Sequence, residues 1–208
     1  MFKKLGKALL LLFVLVAAAY VWQVNFNYRF EEITPGKVYK SAAMPPDKID
    51  DYLTKYQIKT IIDLREPGEH DLPDPTQPSE IQAEANAAAK VNVRHVSIPS
   101  DQVPTGETLT KFFAVLDDKN SYPVLIHCHD GTGRAVIYSS VYRVEYENWS
   151  NADARDKTRP IVNFLGYHSS FSDGTPKGEF LMHYKPRKLG TQSTYFQLSQ
   201  KARSDSHQ

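Results

Sequence analysis

The sequence predicts an α/β fold on three observations. Short β-rich runs alternate with helix-length stretches from about residue 31 onward, the middle of each candidate strand is β-branched or apolar, and no internal repeat is visible. The candidate strands are KVYKS at 37–41, KTIIDL at 59–64, NVRHVSI at 92–98 and PVLIHC at 123–128. Helices are expected in the gaps, at 46–56, 79–90, 106–118, 133–147 and 150–164. Two of them open with cap-like residues, Ser79 with Gln82 and Ser150 with Asp153, the second weaker because Asp stands where Glu or Gln completes a capping box. EPGEHDLPDPTQP at 66–78 carries four prolines and reads as a loop, and the polar tail after Gly190 reads as loose chain. The organisation is then an N-terminal segment over 1–30, one domain over 31–190 and a tail over 191–208.

Composition narrows the function. The 208 residues, 41% apolar and 12% aromatic, suffice for a real core. With 25 Lys and Arg against 24 Asp and Glu, no broad basic field exists to hold nucleic acid by electrostatics, so nucleic acid is not an expected partner. One cysteine excludes an intramolecular disulfide and any Cys-pair zinc site. At the N-terminus, MFKKLGK has three lysines and no acid, and fifteen uncharged, mostly aliphatic residues follow before Gln23. This is an export signal or a membrane anchor. Fifteen helical residues reach roughly 22 Å, short of a hydrocarbon core of about 30 Å, and Ala17-Ala18-Ala19 offers a cleavage site. Tyr20, Trp22, Phe26, Tyr28 and Phe30 argue the other way, as interfacial aromatics beside a retained anchor. Either way the lysines stay cytoplasmic and the rest lies outside the cytoplasm, in the periplasm if the source is bacterial.

The single cysteine stands in HCHDGTGRAV, residues 127–136. If PVLIHC is a strand and a helix begins at Arg134, Cys128 sits where a strand gives way to a helix N-terminus. Unpaired backbone N–H groups there favour a thiolate and hold an anion. Gly131 and Gly133 let the five residues between Cys128 and Arg134 fold tightly with amides inward, and the Arg134 fork closes the concavity on a phosphate. A buried inert thiol is a poor alternative, because two glycines and an arginine make an odd core. Metal binding by His127, Cys128 and His129 is another poor one, since adjacent positions do not readily converge on one ion.

Cys128, five residues and Arg134, with His127 in front, resembles the signature of the cysteine-dependent protein tyrosine phosphatases. GKVYKSAAMPPDKIDDYLTKYQIKTIIDLREPGE and VYRVEYENWSNADA are similar to segments flanking that loop in small bacterial dual-specificity-like members, so the resemblance covers roughly residues 34–165. It implies a central mostly parallel sheet flanked by helices on both faces, as a single phosphatase-like domain. It also implies a hydrolase that needs neither metal nor other cofactor. Cys128 would be the nucleophile and His127 its support. The loop His129, Asp130, Gly131, Thr132, Gly133 and Arg134 would hold the phosphate, and a separate aspartate would act as general acid. Asp101, in VSIPSDQVP after the third strand, is the candidate, ahead of Asp130, Asp117 and Asp118.

The expected substrate is a phosphorylated protein, phosphotyrosine first and dual specificity next. An inositol phosphate or phosphoinositide is the alternative enzyme reading, weakened because the variable loop positions carry no Lys or Arg and Asp130 would repel a second phosphate. A catalytically weak phosphoprotein-binding module is the alternative outside the enzymes, and a rhodanese-like sulfur carrier stands further off. Ala135 departs from the family, which commonly places Ser or Thr after the Arg to assist hydrolysis of the cysteinyl-phosphate. Arg65, ending IIDLR, either reaches the site or pairs with Asp63 or Glu66.

Overall fold

The computed structural model describes residues 2–68 and 78–187, so most of the proline-rich loop and the tail from 191 lie outside the described residues. Its strands are β1 (Glu31–Thr34), β2 (Val38–Ala42), β3 (Thr60–Asp63), β4 (Arg94–Ser97) and β5 (Val124–Cys128). Its helices are α1 (Phe2–Asn25), α2 (Pro46–Lys55), α3 (Glu80–Lys90), α4 (Gly106–Leu116), α5 (Arg134–Tyr146), α6 (Asn151–Asp156), α7 (Pro160–Phe164) and α8 (Pro176–His183). The strands form one sheet in the order β1-β2-β5-β3-β4. All neighbours are parallel except β1, which pairs antiparallel with β2 at the edge.

Two compact units divide the chain, residues 1–139 and 140–208, the boundary falling inside α5. In the first, Tyr39, Leu125 and Ile61 share one row across β2, β5 and β3. They pack with Ile49 and Leu53 of α2 and with Ala87 and Ala88 of α3. Val124, Ile126 and Ile62, which alternate with Leu125 and Ile61, are equally inaccessible, so the sheet is covered on both faces. Each such side chain contributes about 1.5–3 kcal/mol of burial, and two covered faces are why these strands read as unbroken apolar runs.

The four expected strands and the helices α2 to α5 are present within a few residues of their expected limits. Ser79 caps α3 by accepting from the Gln82 N–H at 3.2 Å, while the Gln82 side chain turns to Asn86. The reciprocal capping box lies instead at Thr105 and Thr108, opening α4. β1 was not expected: EEIT is short and acidic, and it is held by the tight turn at Gly36 (φ 66°) and by Glu31 pairing with Lys40 at 3.0 Å.

In the second unit the helix expected over 150–164 is two helices, because Pro160 lacks the N–H that a continuous helix needs there. Ser150 caps α6 through the Asp153 N–H. α8 was also unexpected, and its interior glycine concealed it. A Cβ on Gly178 would lie 2.2 Å from the Ser172 carbonyl oxygen, so only glycine fits. Glu145, on the α5 turn of this unit, accepts from the Tyr184 hydroxyl and, at 2.8 Å, from the Arg187 N–H.

α1 is longer than the apolar run that suggested it. Gln23 and Asn25 do not break it, and Leu5–Asn25 is 21 residues, roughly 31 Å of helix. That is long and apolar enough to cross a membrane, by a measure that an N-terminal signal sequence also meets.

Candidate active site

β5 ends at Cys128 and α5 begins at Arg134, so the five residues between them form the loop expected from sequence. Its peptides are oriented by where their carbonyls go. The His127 carbonyl accepts from Leu64 N–H at 3.0 Å, that of His129 from Ala43 N–H at 2.9 Å, and that of Asp130 from Arg29 Nη1 at 2.9 Å. In a planar trans peptide the N–H points opposite to the C=O, so the amides of Asp130 and Gly131 face away from these outer partners, toward the concave side, whereas the Cys128 amide still lies in the β5–β2 ladder. Gly131 has φ 66°, and a Cβ there would sit 2.5 Å from the Ala42 nitrogen. No other residue fits so close to the end of β2. Gly133 does a different job: its carbonyl accepts from Val136 and Ile137 N–H, each at 3.1 Å, which starts α5. His129 Nδ1 lies 3.0 Å from Asp130 Oδ1 on the loop's outer rim.

Arg134 is buried, and its Nη1 donates to the Leu64 carbonyl at 3.1 Å and the Ser100 carbonyl at 3.4 Å. The second bond ties Arg134 to the residue beside Asp101. Ser100 is itself fixed from below. Its Oγ is 2.8 Å from the Tyr138 hydroxyl, which lies 2.6 Å from Thr108 Oγ1, and donates to the Asp101 carbonyl at 3.1 Å. Asp101 is exposed on this braced loop, while Asp117 closes α4 and Asp118 caps the short turn that follows. Ala135 is fully buried, and Ser139 spends its hydroxyl on the Ala135 carbonyl at 2.7 Å, inside the helix.

Behind the loop lies a buried ion cluster that the sequence reading did not assemble. His127 Nε2 is 2.7 Å from Glu84 Oε1 and 3.7 Å from Asp63 Oδ1, although neither ring nitrogen makes a contact of hydrogen-bond geometry. His95 Nε2 lies 3.1 Å from Glu84 and 3.5 Å from Asp63. Arg65 does not enter the phosphate loop. It takes the pairing role, with Nη2 2.8 Å from Asp63 and 3.0 Å from Glu84. The ligand-type atoms of Asp63, Glu84, His95 and His127 fall within 4.8 Å of one another, a spacing that suits a metal, but the Arg65 guanidinium already supplies the cation.

Burial opposes ionisation of every member, and mutual attraction outweighs it. Glu84 is brought down to about 2, against its desolvation, by His127, His95 and Arg65. Asp63 is likewise driven well below the carboxylate range by His127, His95 and Arg65. Burial lowers His95, but bonds to Asp63 and Glu84 raise it further, to about 9, and the charges of Glu84 and Asp63 raise the buried His127 as well. Glu80, 3.7 Å from Arg65 Nη1, adds a third carboxylate at the outer side of the cluster.

The signs fix a stability profile. The His95 contribution is complete below its ordinary value of 6.5 and is lost as pH rises through about 9, whereas that of Glu84 is complete above 4.5 and lost as pH falls through about 2. Thermal melts should therefore show Tm falling between pH 6.5 and 9, with the fall reduced in His95→Asn. An equal fall in that variant would place the titrating group elsewhere.

Glu84 was detectable in principle. It lies three and four residues before Ala87 and Ala88 on the buried face of α3, and a carboxylate in that stripe needs a partner. Only the fold reveals that the partners come from three parallel strands.

A family model described as "DSP-PTPase phosphatase fused to NAD+ Kinase" matches residues 38–164, more than half of the chain. A search of curated proteins found no match. Among solved structures, the core catalytic domain of the Saccharomyces cerevisiae PP-IP phosphatase SIW14 aligns with TM-score 0.56 at 17% identity, covering 82% of this chain and 92% of that one. Pseudomonas aeruginosa TpbA aligns with TM-score 0.55 at 17% identity, over 76% and 86%. Tk-PTP aligns with TM-score 0.54 at 18% identity, over 73% and 91%. At these identities the structures speak for the fold, and the family model speaks for descent. A loop of this construction on that fold, matched over its strands and helices, makes the chain a member of the DSP-PTPase family of protein tyrosine phosphatase-like phosphatases.

Proposed function

We propose that this phosphatase hydrolyses phosphotyrosine in proteins through a cysteinyl-phosphate intermediate. The observation that carries the reading is the loop itself: inward amides and the Arg134 guanidinium around the end of β5, with no further Lys or Arg among residues 129–133. A loop whose own residues offer one guanidinium, Arg134, and a rim carboxylate, Asp130, with Arg29 engaged on the Asp130 carbonyl, suits a single phosphate on an uncharged aryl group better than a polyphosphate. TpbA, of the same fold, has been crystallised with phosphotyrosine, whereas SIW14 is a PP-IP phosphatase, so the fold alone does not choose.

In this mechanism the Cys128 thiolate attacks phosphorus in line, the P–O bond to the aryl group breaks, and Asp101 protonates the leaving oxygen. Asp101 then takes a proton from the water that clears the sulfur–phosphorus bond. The enzyme works outside the cytoplasm, held to a membrane by α1. That placement is supported by the lysines before the apolar segment and by the segment's length.

The test is a substrate panel with a chelator present. Phosphotyrosine peptide should be hydrolysed well ahead of phosphoserine peptide and inositol polyphosphate, and faster release from the inositol ligand would replace the reading. The same assay tests Ala135. Without a hydroxyl at 135 the second step should limit turnover, giving a burst of phenol in stopped flow. Ala135→Ser should then raise kcat severalfold, about 1 kcal/mol, with kcat/KM unchanged. No burst and an unchanged kcat would assign the hydrolytic assistance to another group.

A further inference from the structure

The chain leaves α1 through a knot of short-range bonds and not through a linker. Phe26 and Asn27 N–H both donate to the Trp22 carbonyl at 2.9 Å, and Arg29 N–H donates to the Gln23 carbonyl at 2.8 Å. Asn27 Nδ2 ties back to Gln23 Oε1 at 2.9 Å and to the Phe30 carbonyl at 3.2 Å. Phe30 is buried and stacks on Tyr39 and Tyr56, with ring centroids 5.3 and 4.4 Å away. Within this knot Tyr28 and Arg29 both adopt φ of 50°, the left-handed region that side chains other than glycine enter seldom.

Two consecutive strained residues persist only where their surroundings enforce them, and here the strain has a visible result. It delivers the Tyr28 carbonyl to the Ala42 N–H at 2.7 Å and the Arg29 guanidinium to the Asp130 carbonyl at 2.9 Å, across 101 residues of sequence. Asp130 contributes the carbonyl of the peptide whose N–H belongs to Gly131. With no Cβ at Gly131, that peptide has the steric freedom to turn over, which would swing its N–H away from a bound anion. Ala43 N–H holds the preceding carbonyl, that of His129, and Arg29 holds this one.

We infer that Arg29 is a positioning residue for the phosphate loop, so that the turn after α1 is part of the catalytic apparatus and not a tether. Its kinetic arm rests on the phosphatase reading; its binding arm does not. In the full-length protein, Arg29→Ala should weaken vanadate binding and lower kcat/KM for an aryl phosphate by the same factor, roughly tenfold for one charge-assisted bond. Arg29→Lys, which can still donate to the carbonyl, should recover part of both. The Tm without anion should change little, while the Tm gain on adding vanadate should shrink in Arg29→Ala. A residue that serves only the fold would lower the anion-free Tm and leave the vanadate affinity of the folded protein intact, and that result overturns the inference. Should Arg29→Ala not fold, Arg29→Lys against wild type decides by the same two readouts, and identical affinities refute the role. If the wild type binds vanadate but turns over no phosphate ester, the phosphatase reading fails while the vanadate arm still judges Arg29.

Discussion

Cys128→Ser should leave vanadate and phosphate bound but reduce aryl-phosphate turnover by on the order of 10⁵–10⁶, the size of loss that follows removal of an enzyme's nucleophile. The reason is specific to this loop. The groups this reading assigns to the anion are the loop amides, oriented by the carbonyl contacts of His129 and Asp130, and the Arg134 guanidinium, held by the Leu64 and Ser100 carbonyls. None of these depends on sulfur. A serine hydroxyl is close in size, so the 2% exposed position at the end of β5 accepts it, but it offers little alkoxide and a far poorer nucleophile. Binding and chemistry therefore separate in one variant. Isothermal titration with vanadate and a phosphate-release assay read the two halves. Turnover that survives would remove Cys128 as nucleophile, and joint loss of binding and turnover would mean that the thiol shapes the loop.

The same variant indicates what the sequence made legible. Strand, His, Cys, glycines, Arg and helix are contiguous, so the loop could be read from spacing, and it lies between β5 and α5 as expected. The parallel strands were legible because coverage on both faces leaves nearly unbroken apolar runs. What stayed hidden was whatever depends on contacts between distant segments. Arg65 offered two roles, and only the arrival of Glu84 from α3 beside Asp63 decides for the ion cluster. His95 sits in a strand pattern that tolerates a polar residue on either face, and nothing local shows that it meets two carboxylates. Arg29 lies in a segment read only as an aromatic belt, and its target is 101 residues away. β1 and α8 were missed for local reasons, an acidic four-residue strand and a helix with an interior glycine.

Asp101→Asn should lower kcat/KM for phenyl phosphate or a phosphotyrosine peptide by about 10²–10⁴, the worth of a positioned general acid. At roughly 1.4 kcal/mol per tenfold this is about 3–5 kcal/mol of transition-state stabilisation. The assignment rests on how the loop is mounted. Ser100 is buried, its hydroxyl bound to Tyr138 and through it to Thr108, and its carbonyl faces Arg134. The next residue along is Asp101, exposed and adjacent to Ser100, whose carbonyl accepts from Arg134, and this reading puts its carboxyl on the leaving-group side. The loss should shrink to a small factor for a strongly acidic phenol, which departs as the anion and needs no proton. That contrast separates the acid from a structural residue, because a disturbed loop would slow both substrates alike. Equal losses would move the proton donor elsewhere, with Asp130 next to test, since it is the other exposed carboxylate at the loop.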